Sequence, residues 1–78
     1  MSKSGRKMLL KLFDLCIKAT TVSKYSINYD YAGTCERYSV FAYSKKDEEQ
    51  IPIAVCEEIS FKNLKNTRRK ILKMMEEK

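Results

Sequence analysis

Of the 78 residues, 44% are hydrophobic and 33% are charged, with two Gly and one Pro. That is enough for one compact domain and too apolar for a disordered tail. Three cysteines without a CxxC pair and no histidine exclude a Cys/His zinc site within one chain and every Ser/His or Cys/His nucleophile pair. We therefore expect no enzyme, no metal and no cofactor. The formal net charge of +6 suits nucleic acid or an acidic protein surface without choosing between them.

Residues 1–7 read as a flexible basic lead-in, and residues 8–78 as the domain. No apolar run approaches the roughly 20 residues of a membrane span, and the opening stretch, broken by Lys11 and Asp14, makes no secretory signal. A cytoplasmic protein, with the nucleus also open to it, is expected. Isolated glycines exclude a phosphate-cradling loop. The cysteines read as small hydrophobes of a reduced protein.

A first helix is expected from about Lys7 to Thr20. Lys7, Lys11, Asp14 and Lys18 share a narrow polar stripe, and the remaining apolar arc of about 220° is twice what one packed face needs. The β-branched Thr20, Thr21 and Val22 should end it. Lys24 to Tyr31 alternates, with Tyr25, Ile27, Tyr29 and Tyr31 on one face. Ala32-Gly33-Thr34 is a turn in which Gly33 accepts positive φ. Glu36 to Ser44 forms a second strand with Tyr38, Val40 and Ala42 inward. After a solvated loop, Ile51 to Glu58 forms a third strand with Ile51, Ile53 and Val55 inward and Ala54 outward. Pro52 assigns that strand to a sheet edge or to its own start.

Ser60 caps a last helix from about Phe61 to Glu76. Its apolar face collects Phe61, Leu64, Ile71, Leu72 and Met75. Arg68 projects into that arc, read as a stem that snorkels over the core edge, with a buried ion pair or an interface anchor as the other readings. The expected fold is α+β in two layers, α-β-β-β-α, with both helices on one face of a three-stranded antiparallel sheet.

Three segments resemble the double-stranded-RNA-binding domain. Leu12 to Lys18 is similar to the L-x-E-x-C-Q-K of its first helix. Tyr25, Gly33 and Tyr38-Ser39-Val40 follow the spacing of its first hairpin. Ser60 to Asn66 is similar to S-K-K-x-A-K-N at the start of its second helix. RNA-binding members carry polar groups on the first helix, Pro and His in the hairpin loop, and a full lysine cluster. Here Ile17 is apolar, the loop has neither residue, and Phe61 takes the first lysine position, leaving Lys62 and Lys65 as possible phosphate contacts. Duplex readout needs all three regions.

The same losses resemble the degenerate third domain of the Dicer partner proteins, with Pro52-Ile53-Ala54-Val55-Cys56, Arg68-Arg69 and Lys73-Met74-Met75 matching its motifs. That resemblance implies homodimerisation and docking on a Dicer-type ribonuclease, with weak or no double-stranded RNA binding. A strand at the edge without a Lys in Ile53 to Cys56 suggests pairing with a second copy through Pro52, Ile53, Ala54, Val55 and Cys56. Leu10 and Ile17, one heptad apart on the margin of the first helix, are expected to meet the partner, framed by Arg68 and Arg69. Two other readings stay open: a functional duplex-RNA binder, and a small phage-type accessory or inhibitor protein.

Overall fold

In the computed structural model, which describes Met1 to Glu77, the chain runs α1 (Lys3–Val22), β1 (Tyr25–Ala32), β2 (Arg37–Ser44), β3 (Gln50–Glu58) and α2 (Phe61–Met75). The strands form one antiparallel sheet in the order β1-β2-β3. The helices contact each other, α1 covers β1 and α2 covers β3. The expected α+β architecture is therefore present, with β3 at a sheet edge and β1 at the other.

α1 starts four residues earlier than expected. Ser2 caps it, its hydroxyl accepting from the Gly5 amide at 3.0 Å, so Lys3 to Lys7 form its first turns. It also runs through Thr20, Thr21 and Val22. The hydroxyls of Thr20 and Thr21 donate to the carbonyls of Cys16 and Ile17 four residues back, which lets β-branched residues stay helical. Its last turn contains no basic residue. Lys45, from the loop expected to be only solvated, supplies one by donating to the carbonyls of Thr20 and Ser23.

The core forms where one face of each element meets the others: Leu9, Leu12, Cys16 and Ala19 of α1, Tyr25 and Ile27 of β1, Tyr38, Val40 and Ala42 of β2, and Leu64 and Ile71 of α2. Burial pushes the Cys16 thiol up to about 12. Cys35 and Cys56 are exposed, and all three thiols are free. The β1–β2 turn differs from expectation, because its positive φ belongs to Glu36 at 50° and Gly33 has none.

The β3 alternation is broken. Phe41 pairs with Pro52, Val40 with Ala54, and Tyr38 with Glu57. Two steps along β3 thus match one along β2, and then three match two. Each mismatch is a bulge, and each flips which face the following side chains take. Ile53 and Ala54 are consequently both buried, Ala54 at 4%, while Val55 is 53% exposed. The expected inward Val55 and outward Ala54 are exchanged. On α2, Leu64 and Ile71 are buried as expected, but Phe61 is 66% exposed and Thr67 takes a core position instead.

Candidate functional site

β3 presents Pro52, Val55 and Cys56 to solvent and keeps Ile53 and Ala54 inside. Its edge is guarded, although not from within the strand. Lys70 of α2 donates to the Ile53 carbonyl at 3.3 Å. At the bulge, Cys56, at φ 48°, donates its amide to the Ser39 hydroxyl at 3.0 Å and accepts from Arg37 at 2.8 Å, both on the neighbouring β2, so these two groups are spent within the sheet. Bulges and a lysine are the usual means of closing an edge. Any pairing surface on β3 is thus narrower than Pro52 to Cys56, and Val55, 53% exposed, is its large apolar side chain open to solvent.

The β1 edge is closed over half its length. The Ile27 amide donates to Thr20 Oγ1 at 2.8 Å, and the Tyr25 amide to Ser23 Oγ at 3.2 Å. The end of α1 thereby occupies outward groups of Tyr25 and Ile27. Beyond it, Phe13 stacks on Tyr29 with ring centroids 4.3 Å apart. Leu10 and Ile17 stand on the same side of α1, three residues before and four after Phe13, and are 56% and 55% exposed. The expectation that these two lie outside the core holds. With Phe13 and Tyr29 they form an apolar ridge along the β1 side of the molecule.

Arg68 and Arg69 do not frame that ridge. Arg68 lies on the opposite side of α1, where Met8, Lys11 and Leu12 face Phe61, Leu64, Lys65 and Arg68 of α2 across a groove of about 270 Å³. Helical rotation separates Lys11 from Ile17 by roughly 120°. Arg69 is exposed and lies about 100° of helical rotation from Arg68, outside the groove lining. Lys65 and Arg68 therefore share a site that the motifs had divided between RNA and protein. The Lys65 ammonium sits 5.7 Å from the Phe61 ring centroid, within cation–π range.

Charge is segregated between the layers. The segments Lys3–Val22 and Phe61–Met75 contain eleven of the Lys and Arg residues and a single acid, Asp14. Glu36, Glu57 and Glu58 gather near the β1–β2 turn and the start of α2, as the pairing of Arg37 with Glu58 and the Arg37–Glu58 ion pair at 3.2 Å show. Lys62 is exposed at that end, and Glu57 and Glu58 precede the Ser60 cap by three and two residues, so the helix start at which phosphate is expected follows two acids. Among the described residues, no group of three His, Cys, Asp or Glu side chains is placed to hold a metal ion, and no helix is long and apolar enough to cross a membrane.

The groove itself was missed in the sequence. The spacing of Phe61 from Leu64 fits an apolar stripe and predicts a core position; its place at the rim, next to Lys65 and 66% exposed, shows otherwise. No family model, curated protein or solved structure matches this chain.

Proposed function

We propose that this domain is a protein-interaction module, which pairs with a second copy of itself and docks on a Dicer-type ribonuclease, with weak or no binding of double-stranded RNA. The observation that carries the interaction role is the exposure of Leu10 and Ile17 beside the Phe13–Tyr29 stack. A ridge of hydrocarbon on the first helix gains free energy by meeting another apolar surface and gains nothing in a minor groove. The nuclease as partner rests on the resemblance of the Pro52 to Cys56, Arg68-Arg69 and Lys73 to Met75 segments to those of the Dicer partner proteins. Pairing between copies rests on the exposed Val55 and Cys56 at the edge of the sheet.

Sedimentation of the purified domain, with and without an RNA duplex, tests the reading. A salt-insensitive dimer that ignores the duplex is the expected result. A shift on the duplex that survives physiological salt assigns the chain to RNA binding instead. For the nuclease, Ile17→Asp should leave the helical content intact and abolish association with purified Dicer; unchanged association removes Ile17 from the interface.

A further inference from the structure

We propose that the groove between the N-terminal halves of α1 and α2 takes an amphipathic helix that carries acidic side chains. The floor of the groove is hydrocarbon, built from Met8, Leu12 and Leu64. One wall is Phe61, a large aromatic left 66% exposed at the first position of α2. Such a ring in solvent is costly to keep and is a common anchor once a partner covers it.

The rim carries Lys11, Lys65 and Arg68. None of them is among the ion pairs of the described residues, which involve Met1, Lys24 and Arg37. α2 contains no acid that could answer them, and the one acid of α1, Asp14, lies on the far border of its polar stripe. Three cations outside the ion pairs of the described residues, around an apolar trough, are complementary to carboxylates flanking an apolar stripe. Charge of this kind guides the encounter and fixes orientation, and the buried hydrocarbon holds the complex.

The spacing suits a helix. Phe61, Lys65 and Arg68 fall at i, i+4 and i+7, so they run along the groove for two turns, about 10 Å. A partner of three turns, with apolar residues at i, i+3, i+4 and i+7 and Glu on both flanks, lays its stripe on Phe61 and Met8, above the buried Leu12 and Leu64, and its carboxylates against the rim. A nucleic acid also brings negative charge, and one exposed ring, Phe61, could stack a base, but its phosphates find only apolar side chains between the cations. This site is independent of the Leu10–Ile17 ridge, which lies on the other side of α1.

The test uses the full chain and two labelled helical peptides. Both carry the same Leu and Phe stripe, with Glu flanks in one and Lys flanks in the other. Fluorescence polarisation should show binding of the Glu peptide and at least tenfold weaker binding of the Lys peptide. Arg68→Glu and Phe61→Ala should each weaken the Glu peptide at least fivefold. Both positions are exposed, so circular dichroism should show the fold unchanged. Ile17→Asp should leave this binding unaltered while acting on the nuclease, which separates failure of this site from failure of the proposed function. Equal binding of both peptides, no binding of either, or indifference to both groove substitutions overturns the proposal. So does full displacement of the Glu peptide by single-stranded RNA at physiological salt, which marks a polyanion site.

Discussion

Tyr38 of the central strand and Thr67 of α2 share a buried hydrogen bond of 2.7 Å between their hydroxyls. The Thr67 hydroxyl also donates to the Asn63 carbonyl at 2.9 Å, so its proton is used there. Tyr38 must be the donor and Thr67 the acceptor. The pair joins β2 to α2 through the middle of the core, and no buried side-chain N or O atom among the described residues lacks a partner.

That direction predicts an asymmetry. Thr67→Val leaves the Tyr38 hydroxyl buried without an acceptor and should cost about 1–3 kcal/mol. Tyr38→Phe removes the donor but leaves Thr67 bonded to Asn63, and should cost no more than about 1 kcal/mol. Urea unfolding of both variants measures the difference, and an equal or inverted order contradicts the assigned donor.

The bulged edge makes a second prediction. Ala54→Arg forces a cation into a site 4% exposed and should abolish the cooperative unfolding transition. Val55→Arg, one residue on, should keep the fold, with a change in melting free energy of about 0.5 kcal/mol or less. If copies pair through β3, light scattering of Val55→Arg gives a monomer. A full dimer from this variant places the contact elsewhere.

Leu10 and Leu12 are two residues apart on α1 and differ in burial by half their surface or more, at 56% and 3% exposed. Leu12→Ala should cost about 2–5 kcal/mol through lost transfer energy and the cavity left behind. Leu10→Ala should cost less than about 1 kcal/mol. Thermal denaturation followed at the helix band compares them, and similar losses would return Leu10 to the core.

Cys16 titrates in the folded state near 12, above its ordinary value of 9.0, because burial disfavours the thiolate. Above the ordinary value the unfolded chain has released this proton while the folded chain retains it. Stability then falls as pH rises, by up to about 1.4 kcal/mol per unit between pH 9 and 12. Tyr38, also raised, chiefly by burial, adds a loss of the same sign. Cys16→Ala should flatten the alkaline decline, measured as urea midpoints across that range. Maleimide at pH 8 should label Cys35 and Cys56 in the folded protein and reach Cys16 only in denaturant.

By itself the amino-acid sequence determined the order of the five elements. Alternation in Lys24 to Tyr31 and Glu36 to Ser44, a 3.6-residue period in the helices, Ser60 as a cap and Pro52 at an edge or a strand start are all local signals. It also marked Leu10 and Ile17 as surplus to the core, since an apolar arc of about 220° exceeds one packing face. Only the tertiary structure decided the rest. The two β3 bulges arise from pairing with β2, and they exchange Ala54 with Val55 although neither side chain announces it. The guard on the Ile53 carbonyl comes from Lys70, seventeen residues away. Phe61 has the right period for the core but stands at the rim, because Leu64, Thr67 and Ile71 already fill the space beneath α2. Arg68 belongs with Lys11 and not with Ile17, because the side of α1 that faces α2 is set by packing between the helices. Periodicity gives a face; its neighbours follow from how the faces are brought together.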